Sequence, residues 1–224
     1  MLKECYVVKK LLNKHFLISL SCLSSIAFMS IFYNLLNTDT GDAKVLLSPI
    51  DQLIPVIPLM SVPYLGWYPY IFVGMTLLCL KDRNLYFKTL LSMNISLVLC
   101  YIIYYNFQTT VIRPVIFATN WTEQLLQTIY NNDPPFNCFP SIHCLHSYLI
   151  MRGAWLSKHI SNHTKITFTI ISITIILSTL FIKQHIIYDA LAAILLGEVV
   201  LSFIYGVSLQ KGNKHKRLRQ YLRL

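Results

Sequence analysis

Long apolar stretches separated by short polar connections dominate the pattern of this chain. A helix crosses a bilayer core with about 20 mostly apolar residues, and six stretches approach that length. They are Phe16–Leu36, Pro63–Leu80, Thr89–Phe107, Ser141–Ser157, Ile166–Ile182 and Ile186–Val207. The pattern predicts an all-α integral membrane bundle of six transmembrane helices, which forms a single domain over residues 1–224.

The fourth stretch is the shortest and carries polar residues. His143, His146 and Arg152 lie within it, and such residues need protein or water around them inside a membrane. A buried helix that lies against the other helices is therefore the alternative to a fourth span.

The connection before this stretch predicts a short helix. Asn120-Trp-Thr-Glu123 resembles a capping box, in which side chains and backbone N–H groups at a helix start bond reciprocally. The helix continues through the segment WTEQLLQTIYN and ends at Asn131, Asn132 and Asp133. Pro140 then favours a second helix start.

Basic residues give the chain a net charge of +10, and their positions indicate membrane orientation rather than a nucleic-acid partner. Sixteen of the nineteen lie before the first span, after the second, near or after the end of the fourth, or in the tail from Lys211 to Arg223. Only Lys44, Arg113 and Lys183 lie on the other side. The positive-inside rule predicts cytoplasmic N and C termini and outward connections at 37–62, 108–140 and 183–185.

Three outward edges carry residues that suit phosphate chemistry. Arg113 could grip two phosphate oxygens as a planar fork. Ser141 and the free N–H groups at the start of the following helix form an anion-binding position. His185 and Asp189 are four residues apart, so the carboxylate could hold one ring nitrogen and leave the other free as a nucleophile. His143 could then protonate the leaving oxygen.

These residues form an ordered pattern that resembles the type 2 phosphatidic acid phosphatase superfamily over about residues 100–190. Arg113-Pro114, Pro140-Ser141-Ile142-His143, Ser178, His185 and Asp189 match its motifs. The chain departs from them at two positions, since Asn106 stands where the family has lysine and Thr179 where it has a second arginine. Lys183 could replace one missing cation. The candidate phosphate-binding residues are therefore Arg113, Ser141, Lys183, Ser178 and Asn106.

The resemblance implies a membrane lipid phosphatase that hydrolyses a lipid phosphate or pyrophosphate monoester at the outer face of a bacterial plasma membrane. The catalytic residues would be His185, His143 and Asp189, with a phosphohistidine intermediate and with neither metal nor cofactor. A zinc site at Cys138, His143, Cys144 and His146 is disfavoured because the usual paired spacing is missing.

Two alternatives stay open from the sequence. The same core resembles that of sphingomyelin and inositol phosphorylceramide synthases, so a lipid phosphotransferase is the first. The loss of two cations favours it, because a phosphodiester carries one negative charge where a phosphomonoester approaches two. A non-catalytic, lipid-binding family member is the second.

Overall fold

Helices make up most of the chain in a computed structural model, which describes residues 14–221 and the side chains of residues 14–206. The helices are α1 (Lys14–Ser21), α2 (Ser24–Leu36), α3 (Pro49–Leu53), α4 (Ser61–Leu65), α5 (Trp67–Lys81), α6 (Arg83–Asn106), α7 (Trp121–Asn132), α8 (Ile142–Leu156), α9 (Asn162–Phe181) and α10 (Ile187–Tyr221). Two short strands, β1 (Lys44–Val45) and β2 (Thr109–Thr110), pair in parallel.

Five stretches of the described part are long and apolar enough to cross a membrane. They are Lys14–Leu36, Pro58–Lys81, Arg83–Asn106, Asn162–Phe181 and Ile187–Gly206. They coincide with five of the six predicted spans and leave out the fourth. The helical prediction is confirmed, and the count of six spans stays a prediction.

The fourth predicted stretch forms α8, which has 15 residues and lies at the centre of the bundle. It packs against α5, α6, α9 and α10. Leu145, Leu149 and Ile150 are fully buried on it, and burial of such side chains contributes about 1.5–3 kcal/mol each. Because protein surrounds α8, its histidines do not face lipid.

The connections fall into two groups at opposite ends of the bundle. At one end, Asp82 between α5 and α6 accepts a hydrogen bond from the Ser157 hydroxyl after α8. At the other end, Lys44 of β1 pairs with Thr109 of β2, and the Ile57 N–H donates to the carbonyl of Phe181. The predicted outward connections therefore meet at one end of the bundle.

Which end faces the cytoplasm remains a prediction. Several basic residues that predict the orientation lie outside the described side chains, namely Lys3, Lys9, Lys10 and those from Lys211 to Arg223.

The predicted short helix is present as α7, and one detail of its capping differs. The Asn120 side chain accepts from the N–H groups of Thr122 and Glu123. The Glu123 carboxylate reaches back to Thr119 instead of Asn120. α7 then buries Leu126 and Ile129 in a small apolar cluster with Tyr64 of α4. This cluster fixes the segment that leads into the candidate site.

Candidate active site

His185 and Asp189 are in contact, as their spacing predicts, although His185 lies in the loop before α10 and not on a helix. The N–H groups of Gln184 and His185 both donate to the carbonyl of Thr179, which holds this loop against the end of α9. His185 Nδ1 lies 3.3 Å from Asp189 Oδ2 and 3.1 Å from the carbonyl oxygen of Cys138. Asp189 Oδ2 also accepts from the Ile186 N–H at 3.0 Å.

These neighbours determine the tautomer of His185. A carbonyl and a carboxylate oxygen can only accept, so Nδ1 must carry the hydrogen. Nε2 then keeps its lone pair. The arrangement provides an oriented imidazole with one unprotonated nitrogen, which is what a nucleophile or a general base requires.

His143 faces His185 from the first turn of α8. The two ring centroids are 6.0 Å apart. Tyr64 and Trp67 hold the His143 ring between them, each with its centroid 4.3 Å away. Nε2 of His143 is buried and has no hydrogen-bond partner in the protein. His143 is therefore fixed in orientation while one ring nitrogen stays available to a bound molecule.

Ser141 connects the starts of α8 and α10. Its side-chain oxygen caps α8 by accepting from the Cys144 N–H at 3.3 Å, and its own N–H donates to the carbonyl of Asp189 at 3.1 Å. The Ser141 hydroxyl oxygen is therefore already engaged in the cap. The other N–H groups in the first turn of α8 have no partner within the helix, as at any helix start.

Arg113 lies close to the site but is held by protein oxygens. Its guanidinium donates to the carbonyls of Tyr130 and Asp133 and to the side-chain oxygen of Gln184. It also lies over the Tyr130 ring, 4.6 Å from the centroid. Burial lowers the pKa of Arg113, an effect that the nearby Asp133 opposes. Its Nε atom is buried and makes no hydrogen bond.

Lys183 adopts a left-handed backbone conformation, with φ of 53°. Its ammonium group donates to the carbonyls of Asp51 and Ile54 at 2.8 and 2.6 Å. Burial lowers the pKa of Lys183, and the nearby Asp51 carboxylate opposes part of this effect. Lys183 and His185 share a small recess of about 20 Å³, on a different side of His185 from the main cavity.

The two remaining candidate phosphate ligands bond within their own helices. Asn106 is exposed at the end of α6 and donates to the carbonyl of Ile102. Ser178 is buried and donates to the carbonyl of Ile175. Thr179, at the position of the missing arginine, bonds to Ile176 in the same way. The structure thus brings His143, His185, Asp189 and Ser141 together and leaves Asn106, Ser178 and Lys183 occupied elsewhere.

A cavity of about 450 Å³ runs from the connections that are predicted to face outward into the bundle. Its polar end is lined by Asn132, Asp133, Asn137, His143 and His185, with His146 further along. Its apolar end is lined by Leu23, Ile26, Ala27, Ile71, Phe72 and Leu97. A phosphorylated headgroup suits the first end and a hydrocarbon chain the second.

Asp133 is a lining residue to which the sequence assigned only the end of α7. Its carboxylate accepts hydrogen bonds from Tyr33, Asn37 and Tyr64 at 2.9–3.1 Å. Among the described residues that line this cavity, Asp133 is the one with a carboxylate side chain. The signal in the sequence that could have identified Asp133 is its place in the connection before α8, eight residues before Ser141.

One cluster in the described part could hold a metal ion. It consists of Cys138, His185 and Asp189, whose ligand atoms lie within 4.8 Å of one another. Burial, with the nearby Asp189 carboxylate, raises the pKa of the Cys138 thiol, whereas the thiolate is the form that binds metals. The cluster also differs from the zinc quartet considered from the sequence. The Cys138 thiol donates to the carbonyl of Pro135, and His185 Nδ1 is engaged by the Cys138 carbonyl and Asp189. These contacts fit a hydrogen-bonded thiol beside a histidine–carboxylate pair.

The sequence model of the PAP2 superfamily matches residues 85–212, more than half of the chain. The chain belongs to the PAP2 superfamily. The predicted family is therefore confirmed, and it is one that includes lipid phosphatases and related phosphotransferases. Searches of curated proteins and of solved structures found no significant match.

The PAP2 match covers only part of the cavity wall. It extends from α6 into α10 and contains Arg113, Ser141, His143, His185 and Asp189. The helices before it provide the opposite wall, including Tyr33 of α2 and Trp67 of α5. The candidate catalytic residues thus come from the matched region, while part of the cavity wall comes from the helices before it.

Proposed function

We propose that this PAP2 protein is a metal-independent membrane lipid phosphatase, which hydrolyses a lipid phosphate or pyrophosphate through a phosphohistidine on His185. The observation that carries the proposal is the geometry of one cavity end. There, the tautomer of His185 is fixed through Nδ1, and His143 presents an unpartnered nitrogen nearby.

The first step would be attack of His185 Nε2 on phosphorus. The bond between phosphorus and the lipid oxygen breaks, and a protonated His143 gives its proton to that oxygen. An anionic phosphate beside His143 favours the protonated imidazole that this step requires. Asp189 stabilises the positive charge that develops on the His185 ring.

In the second step, water attacks the phosphohistidine. His143, now neutral, takes a proton from the water while the bond between phosphorus and nitrogen breaks. Phosphate leaves, and both histidines return to their starting states. The N–H groups at the start of α8 are placed to stabilise charge on the phosphoryl oxygens during both displacements.

The direct test is turnover by purified protein in detergent with a chelator present. We expect phosphate release from a panel of lipid phosphates, and we expect His185→Ala to slow it by about 10³-fold or more, as is usual when a nucleophile is removed. His163→Ala is the matched control, because His163 is exposed at the far end of α9. Release that survives His185→Ala, or that stops with the chelator, would contradict the proposal.

A lipid phosphotransferase is the second candidate, favoured by the charges around the cavity. Arg113 and Lys183 are bound to protein oxygens, and neutral residues occupy positions 106 and 179. Asp133 is the one acidic residue among the described residues that line the cavity. This setting suits a phosphodiester with its single negative charge. In the same assay, headgroup exchange between lipids without phosphate release would identify this activity. Folded protein that does neither would favour a non-catalytic, lipid-binding role.

We also propose that the site faces outward, on the basis of the distribution of basic residues. Trp121 is exposed at the end of the bundle that holds the site. In intact cells, a membrane-impermeant maleimide should label a cysteine introduced there in a cysteine-free background. Labelling of a cysteine at Lys158 instead would reverse the orientation.

A further inference from the structure

His146 lies in the same cavity as His143 and His185 but has no part in the proposed phosphoryl transfer. It is on α8, three residues after His143, and residues at this spacing lie on the same face of a helix. Its side chain contributes to the cavity wall. Each residue advances a helix by about 1.5 Å, so His146 lies about one helical turn further into the bundle.

The protein leaves both nitrogens of His146 without a partner. The residue is only 1% exposed, and neither Nδ1 nor Nε2 makes a hydrogen bond. Its ring is stacked parallel to that of Trp67, with the planes 5° apart and the centroids 5.6 Å apart. A buried polar group without a partner costs about 1–3 kcal/mol. An imidazole in this position needs a partner from the cavity.

Neighbouring hydroxyl groups of the cavity wall are already satisfied by the protein. Tyr101 donates to the carbonyl of Met29, and Ser30 donates to the carbonyl of Ala27. Beyond His146 the wall becomes apolar, with Ile71 and Leu97 among its members. His146, which lines the cavity and whose two nitrogens are buried without a protein partner, thus lies between the polar end, which suits a phosphate, and the apolar end, which suits a hydrocarbon chain.

We propose that His146 binds the polar linkage between the phosphate and the hydrocarbon chains of the substrate, an ester carbonyl or a hydroxyl of a glycerol or sphingoid backbone. This rests on the proposed function, which puts phosphorus beside His185. In such lipids the linkage is a few covalent bonds from phosphorus, a distance comparable to one helical turn of about 5.4 Å. A neutral imidazole can donate to a carbonyl through one nitrogen and accept from a hydroxyl through the other.

The proposal makes His146 a specificity residue. A polyprenyl phosphate has no polar atom beyond its phosphate, so it would leave both His146 nitrogens unpaired in the bound state. A glycerol-based or sphingoid-based lipid would satisfy at least one of them. The protein should therefore prefer lipids with a polar backbone.

Binding to a catalytically inert protein tests this proposal separately from turnover. The full-length His185→Ala protein would be titrated with dioleoylglycerol phosphate and with a polyprenyl phosphate in detergent micelles, with Trp67 fluorescence or native mass spectrometry as the readout. We expect the glycerol lipid to bind about tenfold more tightly, the ratio that corresponds to about 1.4 kcal/mol. Equal binding of the two lipids would overturn the proposal, and this comparison needs no substitution at position 146.

Substitutions then assign the preference to His146. Adding His146→Leu should weaken binding of the glycerol lipid about tenfold and change binding of the polyprenyl phosphate less than twofold. His146→Gln, whose amide can donate and accept, should retain most of the preference and serves if the leucine variant does not fold. If His146→Leu weakened binding of both lipids equally, the assignment would be contradicted. It would also be contradicted if His146→Gln lost the preference and His146→Leu kept it. Failure of the proposed function would appear instead as turnover that does not need His185.

Discussion

The proposed role of His185 as nucleophile depends on two oxygen acceptors at one ring nitrogen. Asp189 Oδ2 and the Cys138 carbonyl both lie near Nδ1, and Asp189 is itself held by the Ile186 N–H. The carboxylate is therefore buried with one oxygen engaged twice and the other, Oδ1, without a partner. Charge developing on His185 during attack would be stabilised by a group that needs no reorganisation.

Asp133 introduces a charge that opposes a dianionic substrate. For two unit charges about 10 Å apart at an effective dielectric constant of about 20, the interaction is about 2 kcal/mol. Asp133 lies within reach of the site because Tyr64, which donates to its carboxylate, is stacked on His143.

Replacing Asp133 with asparagine should therefore favour phosphomonoesters. We expect Asp133→Asn to raise kcat/KM for a lipid phosphomonoester about tenfold and to change that for a zwitterionic phosphodiester less than threefold. Steady-state kinetics on both lipids measures this. Asp42→Asn is the control, since Asp42 is exposed in the first outward connection. A loss of activity on both lipids would instead assign Asp133 a structural role through Tyr33, Asn37 and Tyr64.

Spacing predicted which candidate catalytic residues lie close together better than it predicted the surroundings of the candidate phosphate ligands. Residue order along the chain indicated that His143, His185 and Asp189 converge. It could not show which hydrogen-bond acceptors a long side chain would find. The Lys183 ammonium reaches the carbonyls that end α3, and the Arg113 fork reaches carbonyls of α7 and its cap. Both partners come from segments whose positions depend on the tertiary fold.

At the level of elements, α8 organises the site because four helices pack around it. Small residues let its neighbours approach closely. A Cβ atom built on Gly74 of α5 would lie 2.6 Å from Ile150 of α8, and one on Gly153 of α8 would lie 2.7 Å from the Thr89 hydroxyl of α6. Further along, Arg152 of α8 forms a two-bond ion pair with Glu198 of α10 at 2.8 Å.

A larger side chain at Gly74 should push α8 away from α5. We expect Gly74→Leu to destabilise the protein by about 1–3 kcal/mol, the usual cost of overpacking, and to lower Tm in detergent by about 5 °C. Activity should fall as well, because Trp67 of α5 supports the His143 ring.

Gly206→Leu is the matched control for this experiment. Apart from its own helix backbone and chain neighbours, no atom of the described side chains lies within 4 Å of a Cβ built on Gly206, so the Tm of this variant should stay within about 1 °C of the wild type. Equal shifts in Tm for the two variants would contradict the packing argument.

Apolar length predicted most elements, and α8 shows where that signal is insufficient. A helix exposed to lipid must be apolar along its whole membrane-spanning length, and the five long stretches satisfy this. A helix enclosed by other helices need not, so α8 carries His143, His146 and Arg152 in 15 residues. The polar content of the fourth stretch indicated enclosure, which the structure confirms.

At the scale of the whole molecule, the cavity is lined by two regions of the chain, the region that the PAP2 model matches and the helices that precede it. The family region supplies the histidines and Asp189, while α2 and α5 supply the opposing wall. The sequence motifs therefore predicted the family and the convergence of the candidate residues but not the shape of the cavity, since Tyr33, Trp67 and Asp133 reach it only through the packing of distant helices.

The central claim is that the protein forms a covalent intermediate on His185, and trapping that intermediate tests it most directly. Purified enzyme would be mixed with a lipid phosphate, quenched in alkali within milliseconds, digested and analysed by mass spectrometry. We expect the peptide that contains His185 to gain one phosphoryl group, or a phosphorylated headgroup if the substrate is a phosphodiester. The adduct should be labile to acid and absent from the His185→Ala protein. Turnover without any adduct, or with the adduct on another residue, would contradict the claim.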